Sequence, residues 1–282
     1  MDRRRAFTTF AAGLGALLVV LLLTGPARTQ SDDLREEFHQ SYHLDPNGRF
    51  KLSNINGSVN ISGWDNSEIR VDAVKHALDA EDVRQCRIVV DSHPDFISIE
   101  TRYPDRNWWW WFGPHTNPAT VDYTIRVPRK AAIGHINLVN GTLTISSVAG
   151  PVHGSTVNGS VRATDLSGPV DLSTVNSTVE VIATGVGNDL QLHSVNGRVV
   201  LTMPSDAQGR ISASTVNGSI ENDFGLTQNR NGFVGAHLDS QLGAGGARIH
   251  LSTVNGGIEL RRANDGKSLS KPRPSDSSDE PI

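Results

Sequence analysis

The stretch Ser155-Thr156-Val157-Asn158-Gly159-Ser160-Val161 returns eighteen residues later as Ser173-Thr174-Val175-Asn176-Ser177-Thr178-Val179. Versions of this unit occur seven times in the chain, with Asn in every copy and Gly after it in all but the Ser177 copy. The seven asparagines are Asn56, Asn140, Asn158, Asn176, Asn196, Asn217 and Asn255. Self-similarity at a fixed period is the signature of a repeat architecture.

The content of each repeat predicts strands rather than helices. The units are short β-branched runs broken by Gly and Pro, and they lack the 3.6-residue period of amphipathic helices. Successive central copies are 18 to 21 residues apart, which suits one coil of stacked strands. The predicted fold class is all-β: a β-solenoid, or single-stranded β-helix-like stack, with one sheet wall and with a strand segment inserted near the N-terminus.

Aligned copies also share apolar columns with a period of two, which is typical of inward faces. One column precedes the Asn and another follows it. The first contains Ile136, Leu172, Leu192, Ala213 and Leu251, and the second contains Leu143, Val161, Val179, Val199, Ile220 and Ile258. The Val of Thr-Val-Asn does not fit strict alternation, which indicates a bend.

The Asn-Gly pair suits a corner of each coil. Asn tolerates positive φ and Gly adopts the left-handed conformation without steric cost. Stacked Asn amides bond to one another in cross-β assemblies. We therefore predict that the seven asparagines form a structural turn ladder rather than a chemical site.

The remaining chain divides by composition. Residues 1–27, with Arg3 to Arg5 before an apolar run, have the layout of a signal peptide, and the run is also long enough for an uncleaved anchor. Residues 28–49 form a polar lead-in, 50–261 the repeat domain with insertions at 65–129 and 224–246, and 262–282 a Ser-, Pro- and Asp-rich disordered tail. Strands are expected within the first insertion at 68–73, 87–91, 96–103 and 121–127, with a short helix at 79–85.

Several motifs resemble a bacterial family of putative adhesins, a domain of unknown function built of β-strand repeats. The resemblance covers roughly residues 50 to 261. Its motifs are Asn56-Gly57 with Gly63-Trp64, the segments 99–104 and 121–128, the repeat units, and Gly243-Ala244-Gly245-Gly246 before the final strand. The resemblance implies the repeat fold and an adhesin-like role, and it brings no catalytic residues with it.

One segment is not explained by the repeat: the aromatic run Trp108, Trp109, Trp110, Trp111 and Phe112. Neighbouring residues of a strand point to opposite sides, so five aromatics in a row do not all face one core. An exposed cluster would suit stacking on sugar rings, a membrane interface or a protein partner. The alternative is that the run caps an open end of the stack.

The residues offer little catalytic or metal-binding chemistry. A single cysteine, Cys86, excludes Cys-rich zinc motifs and an internal disulfide, and the ten histidines lack the spacing of metalloprotease motifs. Stacked His135, His153 and Asp171 would share one outer face, which we interpret as a polar row rather than a metal site. No cofactor motif is present, and the carboxylates Asp165, Asp171, Glu180 and Asp189 form no obvious catalytic pair.

These observations predict an exported, non-enzymatic β-repeat protein that acts as an adhesin-like binding or envelope scaffold module, in the periplasm or at the cell surface. Its net charge of −4 argues against a nucleic-acid partner. A glycan, an envelope component or a protein remains open as the partner, with membrane contact only through the N-terminal segment or the Trp cluster. The alternatives are a periplasmic sensor domain linked to envelope stress and a polysaccharide-active β-helix enzyme.

Overall fold

A computed structural model describes residues 34–103, 119–228 and 235–274 of the chain. The predicted signal peptide and the run Trp108 to Phe112 lie outside the described residues. The N-terminal part contains seven strands and one helix. In chain order these are β1 (Leu34–His43), β2 (Arg49–Asn56), β3 (Val59–Trp64), β4 (Glu68–Ala77), α1 (Ala80–Gln85), β5 (Arg87–His93), β6 (Phe96–Arg102) and β7 (Thr120–Pro128).

The rest of the described chain contains strands alone. The first seven are β8 (Ala132–Asn140), β9 (Leu143–Val148), β10 (Val152–Asn158), β11 (Val161–Leu166), β12 (Val170–Thr174), β13 (Val179–Ile182) and β14 (Leu190–Asn196). They are followed by β15 (Val199–Met203), β16 (Gly209–Asn217), β17 (Ile220–Asn222), β18 (Ala236–Leu242), β19 (Arg248–Asn255), β20 (Ile258–Arg262) and β21 (Pro272–Pro274).

The strands form two large mixed sheets, so the prediction of an all-β protein is confirmed and that of a single sheet wall is wrong. The ten-stranded sheet has the order β1-β4-β7-β3-β9-β11-β13-β15-β20-β17. The eleven-stranded sheet has the order β21-β18-β16-β19-β14-β12-β10-β8-β2-β6-β5. Neither order returns to its first strand. Each repeat contributes one strand to each sheet, because the chain crosses from one sheet to the other at the Asn-Gly corner.

Parallel pairing between successive repeats brings the predicted apolar columns together. Leu172 pairs with Gly154 and with Leu192 in the eleven-stranded sheet. Val179 pairs with Val161 and with Val199 in the ten-stranded sheet. The leucines and valines among these residues belong to one buried apolar cluster that runs through the described chain. Burial of such aliphatic side chains is worth about 1.5–3 kcal/mol each, which makes the shared core the main stabilising contribution.

The last repeat does not lie at the end of the row. Strand β19 pairs with β14 on one side and with β16 on the other. Its companion β20 likewise lies between β15 and β17. The final copy in the sequence is therefore inserted between the fifth and sixth copies in space. Strand β18 pairs with β16 in antiparallel orientation, on the side away from β19. If the repeats were stacked in sequence order, the last copy would lie at this position.

The first insertion contains the expected elements. Strands β4 to β7 and helix α1 cover the four predicted strands and the predicted helix, with small shifts at their ends. Asp79 caps the helix, since its carboxylate oxygen Oδ1 accepts a hydrogen bond from the Glu81 backbone N–H at 2.8 Å. Strand β7 then joins the first repeat by pairing with β3.

Two segments assigned by composition differ from the prediction. The polar lead-in 28–49 contains β1, which pairs along its whole length with β4 and packs Phe38 and Tyr42 against the core. Its polar character fits an edge strand, where charged side chains discourage further pairing. The first part of the predicted disordered tail, 262–282, is also ordered, because Asp265 binds Ser205 and β21 pairs with β18.

Candidate binding surface

The seven repeat asparagines form a continuous side-chain ladder at the corner between the two sheets. In six of the seven, the amide Nδ2 donates to the Oδ1 of the asparagine in the neighbouring coil, and Asn56 only accepts. The bonds are Asn140 to Asn56 at 2.9 Å, Asn158 to Asn140 at 2.8 Å, Asn176 to Asn158 at 2.8 Å, Asn196 to Asn176 at 3.0 Å, Asn255 to Asn196 at 2.8 Å and Asn217 to Asn255 at 2.8 Å. Each bond ties one coil to the next.

The glycine after each asparagine is required for close approach rather than for a left-handed backbone. Among the repeat glycines only Gly57 has a positive φ, so the expected conformational reason is wrong for the others. A Cβ at Gly159 would lie 2.0 Å from the carbonyl oxygen of Gly141. A Cβ at Gly141 would lie 1.9 Å from the carbonyl oxygen of Gly57. The coils stack backbone on backbone at these glycines, where a side chain would overlap the neighbouring carbonyl group.

In the four units that contain threonine, the threonine hydroxyl donates to a carbonyl oxygen of the neighbouring coil. The Thr174 side chain is buried, and its hydroxyl donates to the carbonyl oxygen of Gly159 at 2.8 Å. Thr253 makes the equivalent bond to Gly197 at 2.9 Å. A buried carbonyl without a partner would cost about 1–3 kcal/mol. The hydroxyl therefore explains why a polar residue stands at an inward position.

The valine of each unit faces outward, although apolar residues usually alternate with polar ones on a half-buried sheet. Since Val and Asn are consecutive and both largely exposed, the period-two alternation breaks between Thr and Asn, while the bend expected there stays a prediction. Seven aliphatic side chains, each 37 to 47% exposed, form a column beside the Asn ladder: Ile55, Val139, Val157, Val175, Val195, Val254 and Val216. We call them the aliphatic row.

A second row lies two residues earlier on the same face of the eleven-stranded sheet. It carries hydroxyl, amide and imidazole groups, and the Ser155 hydroxyl donates to Asn137 Oδ1 at 3.0 Å. The members are Ser53, Asn137, Ser155, Ser173, His193, Ser252 and Ser214, as the parallel registers place them. We call this the hydroxyl row. Burial lowers the pKa of His193, and its Nδ1 lies 2.7 Å from the Ser252 hydroxyl oxygen.

The predicted column of His135, His153 and Asp171 lies one further step along this face. The His135 and His153 rings are 5.8 Å apart, and His153 Nδ1 lies 3.3 Å from Asp171 Oδ2. Within residues 34–103, 119–228 and 235–274, no group of three His, Cys, Asp or Glu side chains is placed to hold a metal ion.

The four carboxylates weighed for catalysis each contact a different neighbour. Asp165 Oδ2 accepts from the Ser147 hydroxyl at 2.9 Å, and Asp171 contacts His153. Glu180 pairs with Arg162 at 2.7 Å. Asp189 pairs with Arg248 at 2.6 Å, and this arginine lowers the pKa of the Asp189 carboxyl. The structure thus does not bring these carboxylates together.

The chain enters and leaves the predicted aromatic segment beside the first rung of the ladder. Tyr103 precedes the segment, and its hydroxyl donates to Asn54 Oδ1 at 3.2 Å. Burial raises the pKa of this tyrosine well above its usual range. Ala119, on the far side of the segment, is buried. The roles proposed for Trp108 to Phe112, binding or capping, remain predictions.

Sequence reasoning missed the exposure of the aliphatic row and the cationic pair Arg49 and Lys51. The row could have been found from Thr-Val-Asn itself, because an inward Thr followed by two outward residues breaks the period of two. The pair could have been found from Arg49-Phe50-Lys51-Leu52, whose alternation puts both cations on the outer face.

Comparison with known proteins adds structural likenesses at low sequence identity. No family model matches the chain, and no curated protein matches it in sequence.

Among the described residues, no helix has the length and apolar character needed to cross a membrane.

Three solved structures are similar to most of the chain. A putative cell adhesion protein from Clostridium sporogenes is 13% identical, with a TM-score of 0.46 over 81% of this chain and 100% of that one. A putative adhesin from Bacteroides fragilis is 10% identical, with a TM-score of 0.39 over 80% and 97%. A putative adhesin from Parabacteroides merdae is 8% identical, with a TM-score of 0.34 over 80% and 96%. All three are named for adhesion, as is the bacterial putative adhesin family that this sequence resembles.

Proposed function

We propose that this chain is an exported, non-catalytic, adhesin-like binding module whose repeats stack as a β-solenoid. Its binding surface is the outer face of the eleven-stranded sheet next to the Asn ladder. The observation that carries the proposal is the aliphatic row, in which every repeat leaves one β-branched side chain more than a third exposed. Contiguous exposed apolar surface with a polar border is typical of an interaction site.

The arrangement of the rows suits an extended, amphipathic ligand such as a glycan chain. Equivalent residues of stacked strands recur at about 4.8 Å, so the seven members of the aliphatic row extend over roughly 29 Å. A polymer lying across the strands would meet an aliphatic group, a hydroxyl or amide group and an Asn amide at each step. Sugar rings offer apolar C–H faces and hydroxyl edges that such groups complement.

Two further features support a binding rather than a catalytic role. The carboxylates Asp165, Asp171, Glu180 and Asp189 are dispersed, whereas glycoside hydrolysis requires two carboxyl groups flanking one bond. The N-terminal arrangement of Arg3 to Arg5 before an apolar run supports export. We place the module in the periplasm or at the cell surface.

The test replaces two central members of the aliphatic row, Val157→Asp with Val175→Asp. Ile182→Asp is the matched control, because Ile182 is 39% exposed on the outer face of the other sheet, against 37% for Val175. Each protein is applied to a printed glycan array and to whole bacteria, and its melting temperature is measured. We expect the double variant to lose at least tenfold in binding, while Ile182→Asp binds normally.

The outcomes separate binding from folding. If both variants melt within a few degrees of the parent and only the row variant loses binding, the proposed surface is supported. If the row variant binds glycans and cells as well as the parent does, the surface is wrong. If the parent binds nothing on the array and does not attach to cells, the adhesin-like function itself is wrong.

A further inference from the structure

A β-bulge interrupts the regular face at one place in β8. Ile133 and Ile136, three positions apart, pair with Phe50 and Leu52 in β2, which are only two apart. The same shift occurs against β10, where the partners are Val152 and Gly154. Two residues of β8, Gly134 and His135, therefore lie opposite a single residue of each neighbour. Bulges of this kind re-aim side chains and are frequent beside functional sites.

The bulge lets two cationic side chains converge. A Cβ at Gly134 would lie 3.2 Å from Arg49 Cγ and 3.3 Å from Lys51 Cγ, so both stems lie directly over the glycine. A larger residue at Gly134 would have to push them apart. The Lys51 ammonium also lies 5.6 Å from the centroid of the Phe96 ring, a cation–π contact.

The imidazoles of His135 and His153 form another part of the wall. Together these residues line an open depression of about 300 Å³, whose remaining lining includes Ala132, Ile133 and Pro151. His153 Nδ1 lies 3.3 Å from Asp171 Oδ2. The depression thus presents two cationic side chains and two imidazoles, each of which has at least one ring N–H donor.

Arg49 and Lys51 differ from most of the described Arg and Lys side chains, because neither makes an ion pair with a described carboxylate. The chain carries a net charge of −4, and many of its Arg and Lys side chains are neutralised by a neighbour. Examples are Arg162 with Glu180, Arg198 with Glu259, and Lys267 with Asp206. Arg49 and Lys51 have no ion pair within the part of the chain that the structure describes. An uncompensated cationic pair in an acidic protein is complementary to an anion.

The surroundings indicate what kind of molecule would carry the anion. Two residues farther along the same strands and face are Ser53, Asn137 and Ser155 of the hydroxyl row, and the aliphatic row follows after two more. The face therefore changes from cationic to hydrogen-bonding to apolar over a few residues. A sugar acid combines these features, with a carboxylate, several hydroxyls and apolar C–H groups on one ring.

We propose that the depression formed by Arg49, Lys51, His135 and His153 is an oxyanion site that binds the carboxylate groups of an acidic polysaccharide. The inference rests on the proposed glycan-binding function and specifies its ligand class. Arg49 offers the planar fork that matches a carboxylate, and Lys51 adds a point charge. The adjacent hydroxyl row would hold the sugar ring that bears the carboxylate.

The probes are polygalacturonate, which carries one carboxylate per sugar, and dextran, which is neutral. Retardation in native gels that contain each polymer gives the dissociation constants. The test variant is Arg49→Gln with Lys51→Gln, and the control is Arg87→Gln with Arg210→Gln. The control removes the same charge from two exposed arginines elsewhere on the same sheet. Thermal melting checks that both double variants remain folded.

We expect the Arg49 and Lys51 variant to bind polygalacturonate at least tenfold more weakly than the parent, while the control changes less than twofold. Equal losses of affinity for polygalacturonate in the two double variants would mean that the polymer is attracted by positive charge in general. This result would overturn the proposed site. Parent protein that binds dextran but not polygalacturonate would also overturn it, while leaving the proposed glycan-binding function intact. Parent protein that binds neither these polymers nor any array glycan would end both proposals.

Discussion

The two ends of the repeat, where the chain crosses between the sheets, are built on different principles. At the Asn end, the strands β8, β10, β14, β16 and β19 each end on the repeat asparagine, and the next strand begins after two intervening residues. At the opposite end the crossing takes three residues at 149–151 and 167–169, seven at 183–189 and five at 204–208. One corner is almost invariant and the other varies freely in length.

The stack is close-packed at its short crossings and open at the long one, since a Cβ at Gly150 or Gly168 would also lie 2.2 or 2.4 Å from a carbonyl oxygen of the neighbouring coil. At the Asn end the Gly159 and Gly141 backbones approach so closely that a Cβ would overlap a carbonyl oxygen. At the long crossing 183–189, Gly185 and Gly187 have no neighbouring atom within 4 Å of a Cβ. The Ser177 copy is consistent with this, because β12 ends at Thr174 instead of continuing to the asparagine. In the copy that has Ser177 in place of glycine, the strand before the corner is therefore shorter than in the other copies.

The largest expected effect comes from adding one methyl group at each end. Gly159→Ala places a Cβ 2.0 Å from the Gly141 carbonyl oxygen, and backbone atoms cannot move aside cheaply. We expect it to lower the free energy of unfolding by about 1–3 kcal/mol. Gly185→Ala, in open space and without a positive φ, should be neutral or stabilise by about 0.4–1 kcal/mol.

Urea unfolding of the two variants beside the parent measures both values. A Gly159→Ala protein that is too unstable to purify would agree with the close-packed corner. If the two variants have similar stabilities, the close approach of the coil backbones at Gly159 does not exclude a side chain, and the explanation of the difference between the two ends is wrong.

A smaller effect is expected within the Asn ladder. The sequence order alone suggests that Asn176 lies in the middle and Asn255 near the end, so that Asn176→Leu would be more damaging than Asn255→Leu. The structure corrects this contrast, because Asn255 bonds to both Asn196 and Asn217. Asn217 makes a single ladder bond and is a true end.

We therefore expect Asn176→Leu and Asn255→Leu to destabilise the protein about equally. Each should cost about 1 kcal/mol more than Asn217→Leu, since each breaks one ladder bond more. Thermal and urea unfolding of the three variants give the order. If Asn255→Leu resembles Asn217→Leu instead, the inserted position of the last repeat is wrong.

The smallest expected effect concerns the variable end, where a side chain from outside the repeats holds one crossing in place. The Ser205 hydroxyl and backbone N–H donate to the Asp265 carboxylate at 2.6 and 2.9 Å. The bond from the Ser205 hydroxyl is the largest cause that lowers the Asp265 pKa to about 2 from an ordinary value of 3.8. Because the folded-state pKa is lowered, this contact stabilises the fold above the ordinary value and is lost as the pH falls through about 2.

The Ser205 backbone amide signal in NMR spectra should consequently move as the pH is lowered from 4 to below 2. Asp265→Asn should abolish this titration, because no carboxylate remains to be protonated. Asp206→Asn is the control, since Asp206 binds Lys267 in the same region. A titration that persists in Asp265→Asn, or disappears in Asp206→Asn, would assign the effect to another group.

Much of the core could be predicted because its causes are local. Alternation of apolar residues places Leu172 and Val179 inside, and the helix signal at Asp79 marks the start of α1. Local patterns were less informative for weakly apolar segments. Strand β1 is polar because it forms an edge, and it is held by pairing with β4, a partner that is distant in sequence.

The candidate binding surfaces could likewise be predicted only in part from the sequence. The sequence placed His135 and His153 in one column, since equivalent repeat positions align. It did not associate them with Arg49 and Lys51, because that proximity depends on a bulge in β8 and on the absence of a side chain at Gly134. A bulge changes the register by one residue, and period-two patterning alone does not reveal which strand contains the extra one.

The sequence by itself determined that this protein is built of β-strand repeats, which side chains face the core, and where the asparagines recur. These properties follow from backbone geometry and from the alternation of side chains within each strand. Only the tertiary structure decided that the strands divide between two sheets and that the last repeat lies between the fifth and sixth. Nearly identical repeats offer nearly identical pairing edges, so the order of strands depends on long-range contacts that no single repeat encodes.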